Sequence, residues 1–264
     1  MKTRILSAVV LIAVVAACFL LSPVSRALFI LAAMLLAVWE LCRAIKQKDI
    51  HCAPVILYIY TVLAAAAVYF KADAHLTEIL FLLAVVALLS AGVIDKNVKA
   101  PGALAGLAVL VYPLVPFLMI LRLSLADDWV PVFVLGCIST WICDSFALFG
   151  GSLFGKHKLC PSVSPNKTVE GAVSGAVAAT LSGVAVYFAL RGSFDVSLLK
   201  CTVTAFVCSS FGQMGDLAAS LIKRETGIKD YSNLIPGHGG VMDRVDSLLF
   251  SIPVASVLLS LSIF

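Results

Sequence analysis

Apolar runs of membrane-spanning length recur along the whole 264-residue chain and constrain its fold more than any other feature. A helix needs about 17–25 predominantly apolar residues to cross a bilayer. Because unpaired backbone groups are costly in lipid, runs of this length must be helical. We therefore predict an all-α polytopic integral membrane protein with about nine transmembrane helices. The nine segments lie at about 5–21, 25–41, 54–70, 75–94, 103–121, 130–150, 169–190, 199–219 and 244–263.

The composition agrees with this class, because 61% of the residues are hydrophobic and 13% are charged. Soluble domains carry about 25% charged residues. No long polar linker divides the chain, which predicts one domain over 1–264, with N-terminal helices in 1–125 and the catalytic half in 130–264. The net charge of +4 does not indicate a nucleic-acid partner. The eight cysteines form no C-x-x-C pair, so we interpret them as free thiols.

The first apolar run has some features of a cleaved signal. Lys2 and Arg4 precede it, as in a signal peptide, and 15–18 resembles a lipoprotein cleavage box. A lipoprotein should become hydrophilic after its cysteine, whereas here Phe19 and a second apolar run follow Cys18. We interpret the run as an uncleaved first membrane helix.

Lys and Arg residues are distributed unevenly between alternate loops. Of the 19 in the chain, 14 fall in one set of alternate segments and 5 in the other. Positive residues are retained on the cytoplasmic side of a membrane. This predicts a cytoplasmic N-terminus and an outside C-terminus. The two longest polar loops, 151–168 and 220–243, then face the cytoplasm, where nucleotides are found.

The last of these loops and the residues that follow it are dense in cations. Guanidinium and ammonium groups suit a triphosphate ligand, although a basic loop beside a membrane helix can also serve only to fix topology. The four cations are Lys223, Arg224, Lys229 and Arg244.

Asp243 and Asp246, in the same stretch, are three residues apart, so a helix would place them on one face. Carboxylate oxygens and substrate phosphates are ligands that Mg²⁺ prefers, which predicts a magnesium site. Gly239 and Gly240, beside His238, would let backbone amides approach a ligand closely. A loop that only fixes topology does not explain this combination.

Polar residues form a stripe along the helix that precedes this loop. Their spacings of 4, 3, 4 and 3 place them on one helix face. A carboxylate within an apolar segment, such as Asp216, is a functional-site hypothesis, and an interhelical hydrogen bond is the alternative. The same argument applies to Asp144. The stripe consists of Ser209, Gln213, Asp216, Ser220 and Lys223.

The segment 150–157 nearly matches a phosphate-binding P-loop. His157 stands where that motif needs Ser or Thr, and no strand is predicted before it, so we do not interpret it as a P-loop.

The start of the seventh predicted helix is a second candidate anion site. Thr168 is a plausible N-cap, and free amides at the helix start, with Ser164 and Lys167, would bind an anion. Glu170 lies in the first turn, where it would either bind a metal or offset the helix dipole. Both interpretations remain open for Glu170.

Two further carboxylates and two histidines are predicted to be inert. Glu40 and Glu78 are placed at or near helix ends, which favours snorkelling to the interface over catalysis. His51 and His75 are interpreted as interfacial.

The stretch 220–246 resembles the signature of the phosphatidate cytidylyltransferase family. That signature is Ser, Lys-Arg, four residues, Lys-Asp, a small residue, Pro, His-Gly-Gly, Asp-Arg and a final Asp. Upstream, Asp144, the Gly-Lys-His-Lys-Leu run, Ser-Pro-x-Lys-Thr-x-Glu-Gly and Gly-Gln-x-Gly-Asp follow in family order. Asn166 departs from the pattern, since relatives commonly have Lys there. The last half of the chain carries this resemblance.

The resemblance implies transfer of the cytidylyl group of CTP to phosphatidate, with Mg²⁺ or another divalent cation. It further implies a bacterial inner-membrane enzyme with a cytoplasm-facing active site, and it makes a homodimer plausible. The catalytic residues would be Asp216, Asp243, Asp246, Lys223, Arg224 and His238. The substrate-binding residues would be Ser164, Lys167, Thr168, Glu170, Lys229, Asp230, Gly239, Gly240 and Arg244. The metal ligands would be Asp216, Asp243, Asp144 and Asp246.

Alternative functions make different demands on the sequence. A related lipid cytidylyltransferase or a CTP-using polyprenol kinase would share the motif chemistry but use another lipid acceptor. A transporter would place its polar site near the membrane midplane, whereas these residues cluster toward one face. A CDP-alcohol phosphotransferase needs a different aspartate-rich motif that the sequence does not contain.

Overall fold

The computed structural model describes residues 2–261, with the side chains of 2–6 and 8 left out. Helices dominate it. The helices are α1 (Lys2–Leu21), α2 (Pro23–Lys46), α3 (Pro54–Tyr69), α4 (Ala74–Ile94), α5 (Lys99–Val109), α6 (Val115–Ser124), α7 (Trp129–Phe154), α8 (Val169–Leu190), α9 (Leu198–Thr226), α10 (Met242–Val245) and α11 (Leu248–Ser260). The strands are β1 (Lys158–Cys160) and β2 (Ser164–Thr168).

Five stretches of helix among the described residues are long and apolar enough to cross a membrane. They are α2, α4, the segment Lys99–Ser124, α7 and α8. Five of the nine predicted spans are thereby confirmed as membrane-length helices, and α8 matches the predicted 169–190. The apolar part of α1 (Val9–Leu21) and α3 (Pro54–Tyr69) are shorter apolar helices. The total of nine spans and the orientation of the termini stay predictions.

The chain divides into two compact units. The first contains Met1–Ala126 and Glu225–Arg244, and the second contains Asp127–Arg224 and Val245–Phe264. The single domain over 1–264 stays a prediction.

In the first unit, α2 begins with a reciprocal capping arrangement. Ser22 accepts a hydrogen bond from the Ser25 amide, and the Ser25 hydroxyl accepts one from the Ser22 amide. Such a capping box satisfies amides that have no partner inside the helix. The helix then continues to Lys46, five residues beyond the predicted end at 41. Its buried face includes Met34, Val38 and Leu41, so the core of this unit forms along α2.

The membrane-length segment Lys99–Ser124 is not a continuous α-helix. Residues Leu110–Leu114 form a π-helical turn between α5 and α6, and Tyr112 leaves the helical conformation there. Pro113 cannot donate a backbone hydrogen bond, which accounts for a break at this position. The sequence prediction of one uninterrupted span over 103–121 missed the break.

In the second unit, α8 presents a row of small residues to its neighbours. The buried residues are Gly171, Gly175, Ala179, Gly183 and Val186. A Cβ added at Gly175 would lie 2.7 Å from the Cys143 carbonyl oxygen of α7, and one at Gly183 would lie 2.7 Å from the Cys201 oxygen of α9. Small residues let membrane helices approach closely. The row therefore holds α7 and α9 directly against the backbone of α8.

The loop predicted at 151–168 contains an antiparallel hairpin, which the all-α prediction did not include. Strands β1 and β2 pair Lys158 with Thr168 and Cys160 with Ser164. The helix α7 continues to Phe154, so Gly150 and Gly151 of the P-loop-like segment are helical, and Gly155 is the extended residue that follows the helix. That geometry excludes a P-loop.

Candidate active site

The predicted site residues are found in both units. Those of the second unit are Asp144, Ser164, Lys167, Thr168, Glu170, Asp216, Lys223, Arg224 and Asp246. Those of the first unit are Lys229, Asp230, His238, Gly239, Gly240, Asp243 and Arg244.

The hairpin of the second unit is held on α9 by two charged side chains. Lys167, in β2, forms an ion pair with Asp216 of α9. About two turns further along α9, Arg224 donates its Nε–H to the Val163 carbonyl oxygen at 3.2 Å. Both Lys167 and Asp216 remain about one third exposed, so this pair can exchange partners with a ligand. Two residues that the sequence assigned to phosphate and metal therefore lie in direct contact.

The polar stripe predicted on one face of α9 is helical throughout, as α9 covers all five members. Asp216 accepts a hydrogen bond from Ser220 at 3.4 Å, one turn away. The Gln213 amide donates to the Ala172 carbonyl oxygen of α8 at 3.4 Å. Gln213 thus makes an interhelical hydrogen bond, which was the alternative interpretation for Asp216. The Asp216 carboxylate instead forms an ion pair with Lys167.

Three carboxylates of the second unit act on one another electrostatically. Asp246 lies between α10 and α11, outside the helices of membrane length, and it is buried. Burial, followed by the charges of Asp216 and Asp144, raises the pKa of Asp246 to about 6, against the opposing effects of the Ser247 amide and Lys223. Asp144 itself is exposed on α7. Burial is the largest cause of this raised pKa, and the charges of the two other carboxylates add to it.

This set of carboxylates fits a magnesium ion by its chemistry. Mg²⁺ takes one or two protein carboxylates and completes its shell with water and substrate phosphates. Within residues 2–261, no group of three or more His, Cys, Asp and Glu side chains is arranged as a preformed metal cluster. Asp216, Asp246 and Asp144 stay candidate ligands for such an ion.

Thr168 caps α8, as predicted from the sequence. Its side chain accepts a hydrogen bond from the Gly171 amide at 3.1 Å. Glu170, in the next turn, accepts hydrogen bonds from His157 Nδ1 at 2.6 Å and from the amides of Lys156 and His157 at 3.1–3.3 Å. Glu170 therefore fastens the start of the hairpin to the start of α8. Metal binding and offset of the helix dipole both stay predictions for this residue.

The loop in the first unit is organised by Asp243. This carboxylate is buried, and its Oδ2 accepts hydrogen bonds from the Tyr231 amide at 2.8 Å and the Gly240 amide at 3.0 Å. The two donors lie nine residues apart, so Asp243 ties the two ends of the intervening loop together. The short helix α10 ends at Val245, so it includes Asp243 and stops before Asp246.

The expectation that Glu40 snorkels at a helix end is wrong. Its side chain is 0% exposed, because α2 continues past it to Lys46. Glu40 accepts hydrogen bonds from the Ser232 hydroxyl and from the amides of Val241 and Met242. These donors lie in or directly after the loop 231–241, which we call the motif loop. The sequence signal that could have found it is a carboxylate followed by further apolar residues on the same helix.

The remaining motif residues of the first unit have mixed surroundings. His238 Nδ1 lies 3.0 Å from Ser7 Oγ, which also donates to the Pro236 carbonyl oxygen at 3.0 Å. Lys229 and Asp230 line a cavity of about 330 Å³ whose wall includes Arg43. Arg43 is a further cation that the sequence analysis did not assign. Arg244 is exposed.

Comparison with known proteins now decides the family. The model of the cytidylyltransferase family matches residues 2–262. The chain belongs to the cytidylyltransferase family. It is 32% identical to a phosphatidate cytidylyltransferase of Bacillus subtilis over 99% of this chain and 98% of that protein. It is 37% identical to one of Haemophilus influenzae over 97% of both chains.

A third relative matches a shorter part of the chain at higher identity. The phosphatidate cytidylyltransferase of Staphylococcus saprophyticus is 42% identical over 119 residues, which is 45% of this chain and 45% of that protein. The family resemblance inferred from the motifs is confirmed over nearly the whole chain by the Bacillus and Haemophilus proteins. Membership therefore includes the first five predicted spans, where the sequence offered no motif.

Proposed function

We propose that this member of the cytidylyltransferase family is a phosphatidate cytidylyltransferase, which converts CTP and phosphatidate into CDP-diacylglycerol and pyrophosphate. The observation that carries this proposal is the match along residues 2–262, with near-full-length relatives of that name. The reaction is a step of phospholipid biosynthesis, and membrane-length helices suit an enzyme whose acceptor is a lipid.

In this reaction a phosphate oxygen of phosphatidate attacks the α-phosphorus of CTP. The bond from that phosphorus to the bridging oxygen breaks, and pyrophosphate leaves with both electrons of the bond. The second pKa of a phosphomonoester is about 6, so the attacking oxygen is already largely deprotonated at neutral pH. Transfer of this kind depends mainly on positioning and charge neutralisation, which the cations and carboxylates of this chain supply.

We assign phosphate binding to the cations that border the hairpin and the motif loop. Lys167 and Arg224 lie at the hairpin, and each has a polar contact there that holds it in place. Lys229 lines the cavity of the first unit. These side chains neutralise phosphate charge without taking part in proton transfer.

A divalent cation, Mg²⁺ in our proposal, is assigned to the carboxylates Asp216, Asp246 and Asp144. Its chemistry when bound would be neutralisation of the triphosphate. Support comes from the negative charges of Asp216 and Asp144, which both act on Asp246. A role of Asp243 as a further ligand, a bacterial inner-membrane location, a cytoplasm-facing site and a homodimer stay predictions. The Lys and Arg asymmetry supports the proposed orientation.

The decisive experiment follows two differently labelled forms of CTP. Purified protein in detergent with phosphatidate, Mg²⁺ and α-labelled CTP is expected to produce labelled CDP-diacylglycerol and an equal amount of pyrophosphate. The γ label should appear only in pyrophosphate. EDTA should abolish the reaction, and added Mg²⁺ should restore it.

Each competing function gives a different result in this assay. A polyprenol kinase would transfer the γ label to an added lipid alcohol, and another lipid cytidylyltransferase would use a different lipid phosphate. Wild-type protein that forms no labelled CDP-diacylglycerol under these conditions would refute the proposal.

Glu170→Gln is expected to keep cytidylyl transfer within about tenfold of wild type, since only hydrogen bonds at the hairpin are weakened. The Mg²⁺ concentration that gives half-maximal activity should not change, because the hydrogen bonds of Glu170 go to the start of the hairpin. Initial rates across a Mg²⁺ titration measure both quantities. A large increase in the required Mg²⁺ would instead establish Glu170 as a metal ligand.

A further inference from the structure

Glu40 is a buried carboxylate that the reaction described above does not use. It lies in the membrane-length helix α2, six residues before its end, and its side chain is 0% exposed. An ionisable group inside a membrane helix is costly and usually has a function. The partners of Glu40 indicate what that function is.

Three hydrogen-bond donors to Glu40 come from the segment 232–242 of the same unit. Its Oε1 accepts from the Ser232 hydroxyl at 2.6 Å and from the Val241 amide at 2.8 Å. Its Oε2 accepts from the Met242 amide at 2.8 Å. Hydrogen bonds to an ionised carboxylate are about twice as strong as neutral ones. Both carboxylate oxygens of Glu40 therefore accept hydrogen bonds from this one segment.

These donors interleave with the two that bind Asp243. Asp243 accepts from Tyr231 and Gly240, and Glu40 accepts from the residues that directly follow each of them, Ser232 and Val241. Each of the two carboxylates thus accepts hydrogen bonds from both ends of the loop 231–241, and together they close its neck, where the two ends meet. The turn carrying His238 lies between the two ends, closed by the bond from the Ile235 amide to the Gly239 oxygen.

Gly240 shows how tightly the loop meets Glu40. A side chain at this position would collide with the carboxylate of Glu40. The sequence predicts that Gly240 lets a ligand approach the backbone. In the structure, Glu40 makes that approach, and the Gly240 amide donates to Asp243.

We propose that Glu40 is a positioning residue for cytidylyl transfer, which fixes the loop carrying His238 and Asp243 by hydrogen bonds to Ser232, Val241 and Met242. This inference rests on the proposed function. Glu40 acts through the loop and does not touch substrate. Without its charge, the loop keeps only one of the two carboxylates that close its neck.

The test compares Glu40→Gln and Ser232→Ala with Glu78→Gln, in the same unit, whose side chain is 72% exposed. In Glu40→Gln an amide N–H₂ replaces one oxygen and faces a donor, so at least one hydrogen bond is lost. We expect kcat/KM for CTP to fall about 10- to 100-fold, with a raised KM for CTP. Ser232→Ala should fall about three- to tenfold in the same direction. Glu78→Gln should match wild type.

Two readouts separate positioning from a general loss of folded protein. A smaller folded fraction lowers kcat and leaves KM unchanged, whereas a displaced loop raises KM for CTP. Trypsin supplies the second readout, because Lys229 and Arg244 flank the loop and both are exposed. Cleavage there should be faster in Glu40→Gln, while cleavage at Lys156 and Lys158 of the hairpin stays at the wild-type rate.

Unchanged KM for CTP together with unchanged cleavage at Lys229 and Arg244 would overturn the proposal. If Glu40→Gln does not fold, the same two measurements on Ser232→Ala decide it in either direction. Cleavage does not depend on activity. Wild-type protein that is inactive but has a protected loop would therefore refute the proposed function while leaving the hold of Glu40 on the loop intact.

Discussion

Asp216→Asn is expected to lower cytidylyl transfer by about 10³-fold, which is the upper end of the loss caused by removing one stabilising group from a preorganised electrostatic site. The substitution keeps the size of the side chain and removes the charge that pairs with Lys167. It also removes one carboxylate from the set that raises the pKa of Asp246. Initial rates at saturating CTP, measured across a Mg²⁺ titration, should show a lower maximum and a higher Mg²⁺ requirement.

Two further variants distinguish metal binding by Asp216 from simple support of Lys167. Asp195→Asn, at an exposed carboxylate of the same unit, is the matched control and should retain wild-type activity. If Asp216 only holds Lys167 in place, Lys167→Met will reproduce its loss, and the double variant will be no worse than either. Activity of Asp216→Asn within tenfold of wild type, at an unchanged Mg²⁺ requirement, would contradict the metal assignment.

Asp243→Asn is expected to lower transfer by about 10²–10³-fold while the motif loop stays folded. The amide oxygen of Asn can still accept hydrogen bonds from the Tyr231 and Gly240 amides. The negative charge predicted to bind metal is lost. The measurement combines initial rates with the rate of trypsin cleavage at Lys229.

Asp243→Ala provides the comparison for this prediction, because it removes both the charge and the acceptor. It should lose activity and also expose Lys229 to faster cleavage. If Asp243→Asn is cleaved as fast as Asp243→Ala, its loss of activity comes from the loop and gives no support to a metal role. Full activity in Asp243→Asn would exclude any catalytic contribution of this carboxylate.

The sequence predicted well those features that local pattern determines. Helix α8 begins after a Thr N-cap and consists of an apolar run without Pro. Its bounds match the predicted 169–190. The polar spacing before the motif predicted the helical face of α9, on which Asp216 and Ser220 are in contact. Family membership also followed from a long motif with mixed residue types.

Features that depend on distant partners were missed. Nothing in the neighbourhood of Glu40 indicates hydrogen bonds to residues near 240, and the predicted helix end at 41 made it look interfacial. Lys167 and Asp216 were assigned to different ligands, phosphate and metal. Their ion pair joins a strand to a helix about 50 residues later, and no local sequence pattern indicates such a contact. The hairpin was missed because its strands are short and polar.

The span of chain between Glu40 and its partners also affects how the protein is made. Ser232 follows Glu40 by 192 residues. At a synthesis rate of about 5–20 residues per second, this interval lasts about 10–40 s. During that time α2 contains a carboxylate whose loop partners have not yet been made, and such a group is costly in lipid. The hydrogen bonds of this carboxylate in α2 can therefore form only after the segment 232–242 has been made.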